Sequence, residues 1–167
     1  MTQFAPADLS DTTALAALHA RCFAESWSES AFRQLMDAHG VQAILSRAES
    51  GELLGFLLVR VVADECEILS LGVAPESRSR GLGTELVQWA AHGAYKRGAR
   101  TMFLEVNVNN TAAKQLYKKL GFEETGRRTG YYRTCDSLAD ALILRSSLPI
   151  PAWESLHTSS SVRTERT

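Results

Sequence analysis

The chain has 167 residues, of which 45% are hydrophobic and 22% charged, and carries a formal net charge of -1. That length fits one domain with a single sizeable core, and the near-neutral balance excludes the basic footprint of a general nucleic-acid binder. No apolar run is long enough to cross a bilayer, and Cys22, Cys66 and Cys135, odd in number and widely spaced, argue against a disulfide framework and a metal centre.

The first eight residues lack the charged and apolar regions of a signal peptide, so a cytoplasmic protein is expected. Residues 2–6 predict a short strand. A helix follows from about Ser10, with Ala14, Leu15, Leu18 and Cys22 at helical spacing. Ser28 is placed to cap a second helix carrying Phe32, Leu35 and Met36. Residues 42–47 and 53–62 are apolar runs joined across Glu49-Ser-Gly-Glu52, the pattern of a hairpin. Residues 65–73 form the next strand. Residues 81–97 form a helix with Leu82, Leu86, either Trp89 or Ala90, and Ala94 on one face, ended by Gly98. A strand at 101–106 precedes a helix capped by Asn109 or Asn110 and closed by Gly121, with Ala113, Leu116, Tyr117 and Leu120 along one side. Two more strands, 123–128 and 138–146, flank a polar loop from Gly130 to Ser137. The expected architecture is an α/β fold, a mixed central sheet with helices on both faces. Residues 1–148 make the domain. Residues 149–167, with two prolines and a Ser/Thr-rich run, are expected to be a flexible tail on which Trp153 and Leu156 offer some apolar surface.

One stretch stands out chemically. After the strand ending Leu71-Gly72-Val73 comes Arg78-Ser79-Arg80-Gly81-Leu82-Gly83-Thr84, which opens a helix. Glycines let a backbone approach a ligand, the first turn of a helix presents unpaired N–H groups, and arginine supplies forked donors that suit phosphate. A phosphorylated ligand is the expectation. There is no Gly-x-x-x-x-Gly-Lys-Ser/Thr and no early Gly-x-Gly-x-x-Gly, so neither a nucleoside-triphosphate P-loop nor a dinucleotide fold is indicated.

The Arg-x-x-Gly-x-Gly loop resembles the pyrophosphate-binding motif of the GNAT-type acetyl-CoA-dependent N-acetyltransferases. Three further segments narrow the likeness: Leu104-Glu105-Val106 with Asn109-Asn110, Leu116-Tyr117 and Leu120-Gly121-Phe122; Arg127-Arg128 with Gly130-Tyr131-Tyr132, Asp136 and Asp140-Ala141; and Ser26-Trp27-Ser28-Glu29 with Phe32. Together these are similar to the bacterial ribosomal-protein-alanine N-acetyltransferases, over residues 2–148. Ser26 stands where that family usually has proline, Asn107 where a basic residue is common, and Gly130 where a polar one is common.

The resemblance implies a GNAT fold and acetyl-CoA as cosubstrate, with no metal. It implies a protein N-terminus as acceptor, from a small-subunit ribosomal protein beginning with alanine. Glu105 would be the general base and Tyr117 the general acid. On their own, the first reads as an exposed strand-edge carboxylate and the second as a packing aromatic. Leu71, Gly72 and Val73 would offer backbone groups to the pantetheine arm. Arg78, Ser79, Arg80, Gly81, Leu82, Gly83 and Thr84 would cradle the phosphates, and Asn110 would touch the cofactor as well as cap its helix. Trp27, Arg128, Tyr131 and Tyr132 would line the peptide groove. Glu67, the other candidate base, either faces the substrate channel or pairs with an arginine on a neighbouring strand. His19, His39, His92 and His157 have no carboxylate partner visible in sequence and read as helix-surface or tail residues. A monomer with no nucleic-acid or membrane partner is expected. The rival readings are the same transfer to a lysine or small amine, and an acyl-CoA-binding module without catalysis.

Overall fold

The computed structural model describes residues 1–133 and 137–150. Its elements run β1 (Gln3–Pro6), α1 (Thr12–Cys22), α2 (Glu29–Asp37), β2 (Val41–Arg47), β3 (Leu53–Val62), β4 (Glu65–Val73), α3 (Leu82–Lys96), β5 (Thr101–Asn107), α4 (Thr111–Lys119), β6 (Glu123–Arg133) and β7 (Leu138–Ser147). The strands form one seven-stranded sheet in the order β1-β2-β3-β4-β5-β7-β6. Every pairing is antiparallel except β4 with β5. A parallel pair needs a crossover, and α3 supplies it.

Alternation along β2 and β3 sends side chains to two cores. Ile44, Leu57, Val59 and Val61 join Leu86, Val87, Ala90 and Ala94 of α3, Tyr117 of α4 and Leu120 just after it in the larger one. Leu45 and Phe56 point the other way, into a smaller core with Leu15 and Leu18 of α1 and Phe32 of α2. Helices therefore cover both faces, as expected. Of the two candidates on α3, Ala90 is buried and Trp89 faces outward. On β5, Met102, Leu104 and Val106 enter the larger core, so Phe103 and Glu105 lie on the opposite face.

Three boundaries differ from expectation. Leu9–Asp11 is a separate 3-10 turn: the Asp8 carboxylate accepts from the Ser10 N–H and Asp11 accepts from the Asp8 N–H, which delays α1 to Thr12. Strand β6 runs through Gly130, Tyr131 and Tyr132 to Arg133, where a loop was expected. An irregularity between Arg128 and Tyr132 lets it resume pairing with Ala139 and Leu138. Lastly, Ile150 is fully buried in the larger core, two residues past the expected end of the domain. The remaining expectations for the tail, and those for Cys135, Asp136, Trp153, Leu156 and His157, lie outside the described residues.

Candidate active site

The site begins where the sheet comes apart. Strands β4 and β5 pair only from Glu65 opposite Thr101 to Ile68 opposite Leu104, although β4 continues to Val73 and β5 to Asn107. A register shift against β3 leaves Leu69 between the paired residues Ile68 and Ser70. Such bulges bend a strand. The divergence opens two adjoining cavities that share Phe23, Leu71, Asn110 and Ala113.

The first cavity, about 670 Å³, is lined by Leu71, Gly72 and Val73, by Arg78, Ser79, Gly81, Leu82, Gly83 and Thr84, and by Gln115 and Lys119 of α4. Its loop is built for an anion. Ser79 and Gly81 have φ of 63° and 82°, the left-handed region where glycine is at home and serine is strained. Gly81 is also the N-cap of α3 and supplies no side-chain cap, so the first-turn N–H groups stay available to a ligand. The Arg78 Nε donates to the Val73 carbonyl at 3.0 Å and fixes the loop to the end of β4. Gly83 sits close to α4: a Cβ there would lie 2.8 Å from the Leu116 Cδ1, whose side chain would have to shift. These donors and this cradle fit a pyrophosphate. Arg80 is exposed and absent from the lining. Lys119 escaped the sequence reading, although its helical spacing from Ala112 and Leu116 points to the same face.

The second cavity, about 600 Å³, is lined by Ile68, Leu69 and Ser70 of β4, Leu104 to Asn107 of β5, Tyr117, Tyr132 and Arg133, and by Phe23, Ala24 and Glu25 between α1 and α2. Glu105 and Tyr117 thus meet the same space from strand and helix. Glu105 is not buried on two sides. Its side chain is 24% exposed and its Oε1 lies 3.1 Å from the Arg128 Nε. Arg128 is thereby placed on the carboxylate, with its guanidinium also 5.4 Å from the Tyr131 ring centre. Tyr117 is 3% exposed and packs edge-on against Phe122. Burial pushes its phenol above the ordinary range, so it keeps its proton at any working pH. Among the described residues nothing pairs with its hydroxyl. Tyr132 is also raised, chiefly by burial and then by the Glu105 charge. Asn110 caps α4 by accepting from the Ala113 N–H at 3.1 Å, and borders both cavities.

One of the two alternatives holds for Glu67, and three other residues lie away from the positions read for them. Glu67 lines neither cavity; it pairs with Arg60 of β3 at 2.9 Å, the second of the two positions considered for it. Trp27 is half-buried against the smaller core, its ring held by His19 and Phe32, and lines neither cavity. Tyr131 is 52% exposed and outside the lining, since alternation turns it away when Tyr132 turns in. His19 is not a surface residue: it is 2% exposed and stacked between Phe23 and Trp27. Cys66 is fully buried and its thiol is pushed up to about 12, which leaves it inert as a nucleophile. Among the described residues no cluster could hold a metal ion, and no helix is long and apolar enough to cross a membrane.

The family model described as Acetyltransferase (GNAT) family matches residues 12–122. The [ribosomal protein bS18]-alanine N-acetyltransferase of Escherichia coli K12 is 33% identical over 150 residues, covering 90% of this chain and 99% of its own. The N-alpha-acetyltransferase RimI of Mycobacterium tuberculosis is 33% identical over 142 residues, covering 81% of this chain and 85% of its own. The crystal structure of the ribosomal-protein-S18-alanine N-acetyltransferase from Escherichia coli superposes with a TM-score of 0.82 at 31% identity, covering 88% of this chain and 94% of that one.

Proposed function

Since the chain belongs to the GNAT acetyltransferase family, we propose that it acetylates the α-amine of a protein N-terminus, that of a small-subunit ribosomal protein beginning with alanine. The observation that carries this reading is the junction of the two cavities. An anion cradle on α3 leads along the free end of β4 to a chamber holding both a carboxylate and a protonated phenol. Acetyl-CoA, when bound, supplies the acetyl group as a thioester. The backbone of Leu71–Val73 and the loop from Arg78 to Thr84 hold and orient it.

Glu105 accepts a proton from the incoming α-ammonium. The task is modest, because an α-amine has an ordinary pKa of about 8, against about 10.4 for lysine. The amine nitrogen bonds to the acetyl carbon as the carbon–sulfur bond breaks; the Tyr117 hydroxyl gives its proton to the departing sulfur and is reprotonated by the second proton shed from the nitrogen, while Glu105 passes its own proton to solvent. No covalent enzyme intermediate is invoked. Arg128 holds the Glu105 carboxylate toward the chamber and yields contact to the substrate ammonium as it arrives.

The test is mass spectrometry of a peptide panel incubated with acetyl-CoA: an Ala-starting ribosomal N-terminus, its N-blocked copy with an internal lysine, and a small polyamine. Transfer to the free α-amine alone is expected. Glu105→Gln should lower kcat/KM by roughly 10²–10⁴-fold, and Tyr117→Phe should lower kcat by about 10²-fold with acetyl-CoA binding retained. Transfer only to lysine or polyamine would sink the N-terminal assignment. Binding of acetyl-CoA without any transfer would leave a binding module.

A further inference from the structure

The segment between α1 and α2 forms one wall of the chamber over Glu105, through Phe23, Ala24 and Glu25. At one end the Phe23 N–H donates to the His19 carbonyl, and at the other Ser28 caps α2. Between them the Trp27 N–H donates to the His19 Nδ1 at 3.0 Å. The imidazole lies between the Phe23 ring, 4.4 Å away at 28°, and the Trp27 ring, 4.7 Å away at 18°. Phe32 and Phe56 complete its surroundings.

We propose that His19 is the positioning residue of this wall: its unprotonated Nδ1, by accepting from Trp27, sets where Phe23 to Glu25 stand around the acceptor. The inference rests on reading that chamber as the acceptor site. A protonated imidazole would turn a donor toward the Trp27 N–H and break the link. The groups that face the ring are Phe23 and Trp27 from the linker, Phe32 from α2 and Phe56 from β3, all uncharged. On α1 itself, the Cys22 thiol donates to the Val73 carbonyl and Arg21 pairs outward with Glu76. Glu29 of α2 pairs with Arg33. Burial alone holds the imidazole below its ordinary range, which favours the accepting form at neutral pH.

Amide hydrogen exchange of residues 23–27 tests this between two limits, pH 7.5 and pH 4.5, with steps between them, corrected for intrinsic rates. Wild type should exchange about tenfold faster at the lower pH, the scale of one lost hydrogen bond. His19→Asn, whose amide oxygen can replace Nδ1, should show no such step. His19→Phe, which keeps the stack without the acceptor, should exchange fast at both and raise the acceptor KM severalfold with kcat little changed. A step that persists in His19→Asn, or unchanged exchange and KM in His19→Phe, overturns the proposal. If neither variant folds, the NMR titration of the wild-type imidazole decides, because its midpoint must coincide with the exchange step. Exchange that follows His19 while no amine is acetylated would overturn the proposed function and, with it, the acceptor-positioning role of His19.

Discussion

At the scale of single residues, two buried rings set opposite limits on stability. The His19 imidazole is held below its ordinary value of about 6.5, so between that value and its folded one the unfolded chain binds a proton that the native one refuses. Its stabilising contribution is present above pH ~6.5 and is lost as pH falls. Tyr117 is raised above the ordinary phenol value of about 10, so its contribution is present below that pH and is lost in more alkaline solution. Urea unfolding across a pH series should therefore fall off at both ends. His19→Asn should flatten the limb below pH ~6.5, and Tyr117→Phe the limb above pH ~10. A limb that survives its own substitution would mean another group carries it. The acid limb was invisible in sequence, where His19 had no partner to mark it. Its partners are rings and a backbone N–H eight residues on, reached only when the chain turns after Cys22.

Elements were legible wherever periodicity and punctuation agreed. Strands β2 to β5 and helices α2 to α4 follow from alternation, caps and closing glycines, as at Ser28 and Asn110. The phosphate loop was readable for the same reason, because its chemistry is local in sequence. Side chains that reach the chamber by alternation were harder. Tyr131 and Tyr132 are equivalent in sequence, and only the register of β6 against β7 decides which faces inward. Arg133, Phe23 and Glu25 line the chamber through tertiary placement alone. Turn glycines give a sharper test of element geometry. Gly40 has a φ of 78°, and a Cβ there would lie 2.2 Å from the Val61 carbonyl oxygen, a backbone atom that cannot step aside. Gly51 has a φ of 90° but nothing within 4 Å of such a Cβ. Gly51→Ala should cost only the left-handed backbone, about 1–2 kcal/mol. Gly40→Ala should cost clearly more and lower Tm further in a calorimetric scan. Equal losses would mean that the end of β3 moves freely, contrary to the pairing of the Val61 N–H with the Gly40 carbonyl.

Across the whole molecule, the sheet consists of two leaves, β1 to β4 and β5 with β7 and β6, laced by four residues of parallel pairing, by the α3 crossover and by ion pairs such as Arg145 with Glu65. Beyond Ile68 the leaves stand apart with peptide groups of β4 facing across the gap. A ligand lying there would act as a splint, borrowing the place of the strand contacts that the chain forgoes. The native fold should then be measurably stiffer when loaded. At one hundred times its Kd, acetyl-CoA should add about 2.7 kcal/mol and raise Tm by about 5–10 °C. Amide exchange should slow on both leaves together, at Leu69–Val73 and at Leu104–Asn107. Protection confined to the loop at Arg78–Thr84 would mean that the ligand is held by its phosphates alone. Protection on both leaves would make the cosubstrate the missing crosspiece of the sheet, so the enzyme would be mechanically complete only while armed.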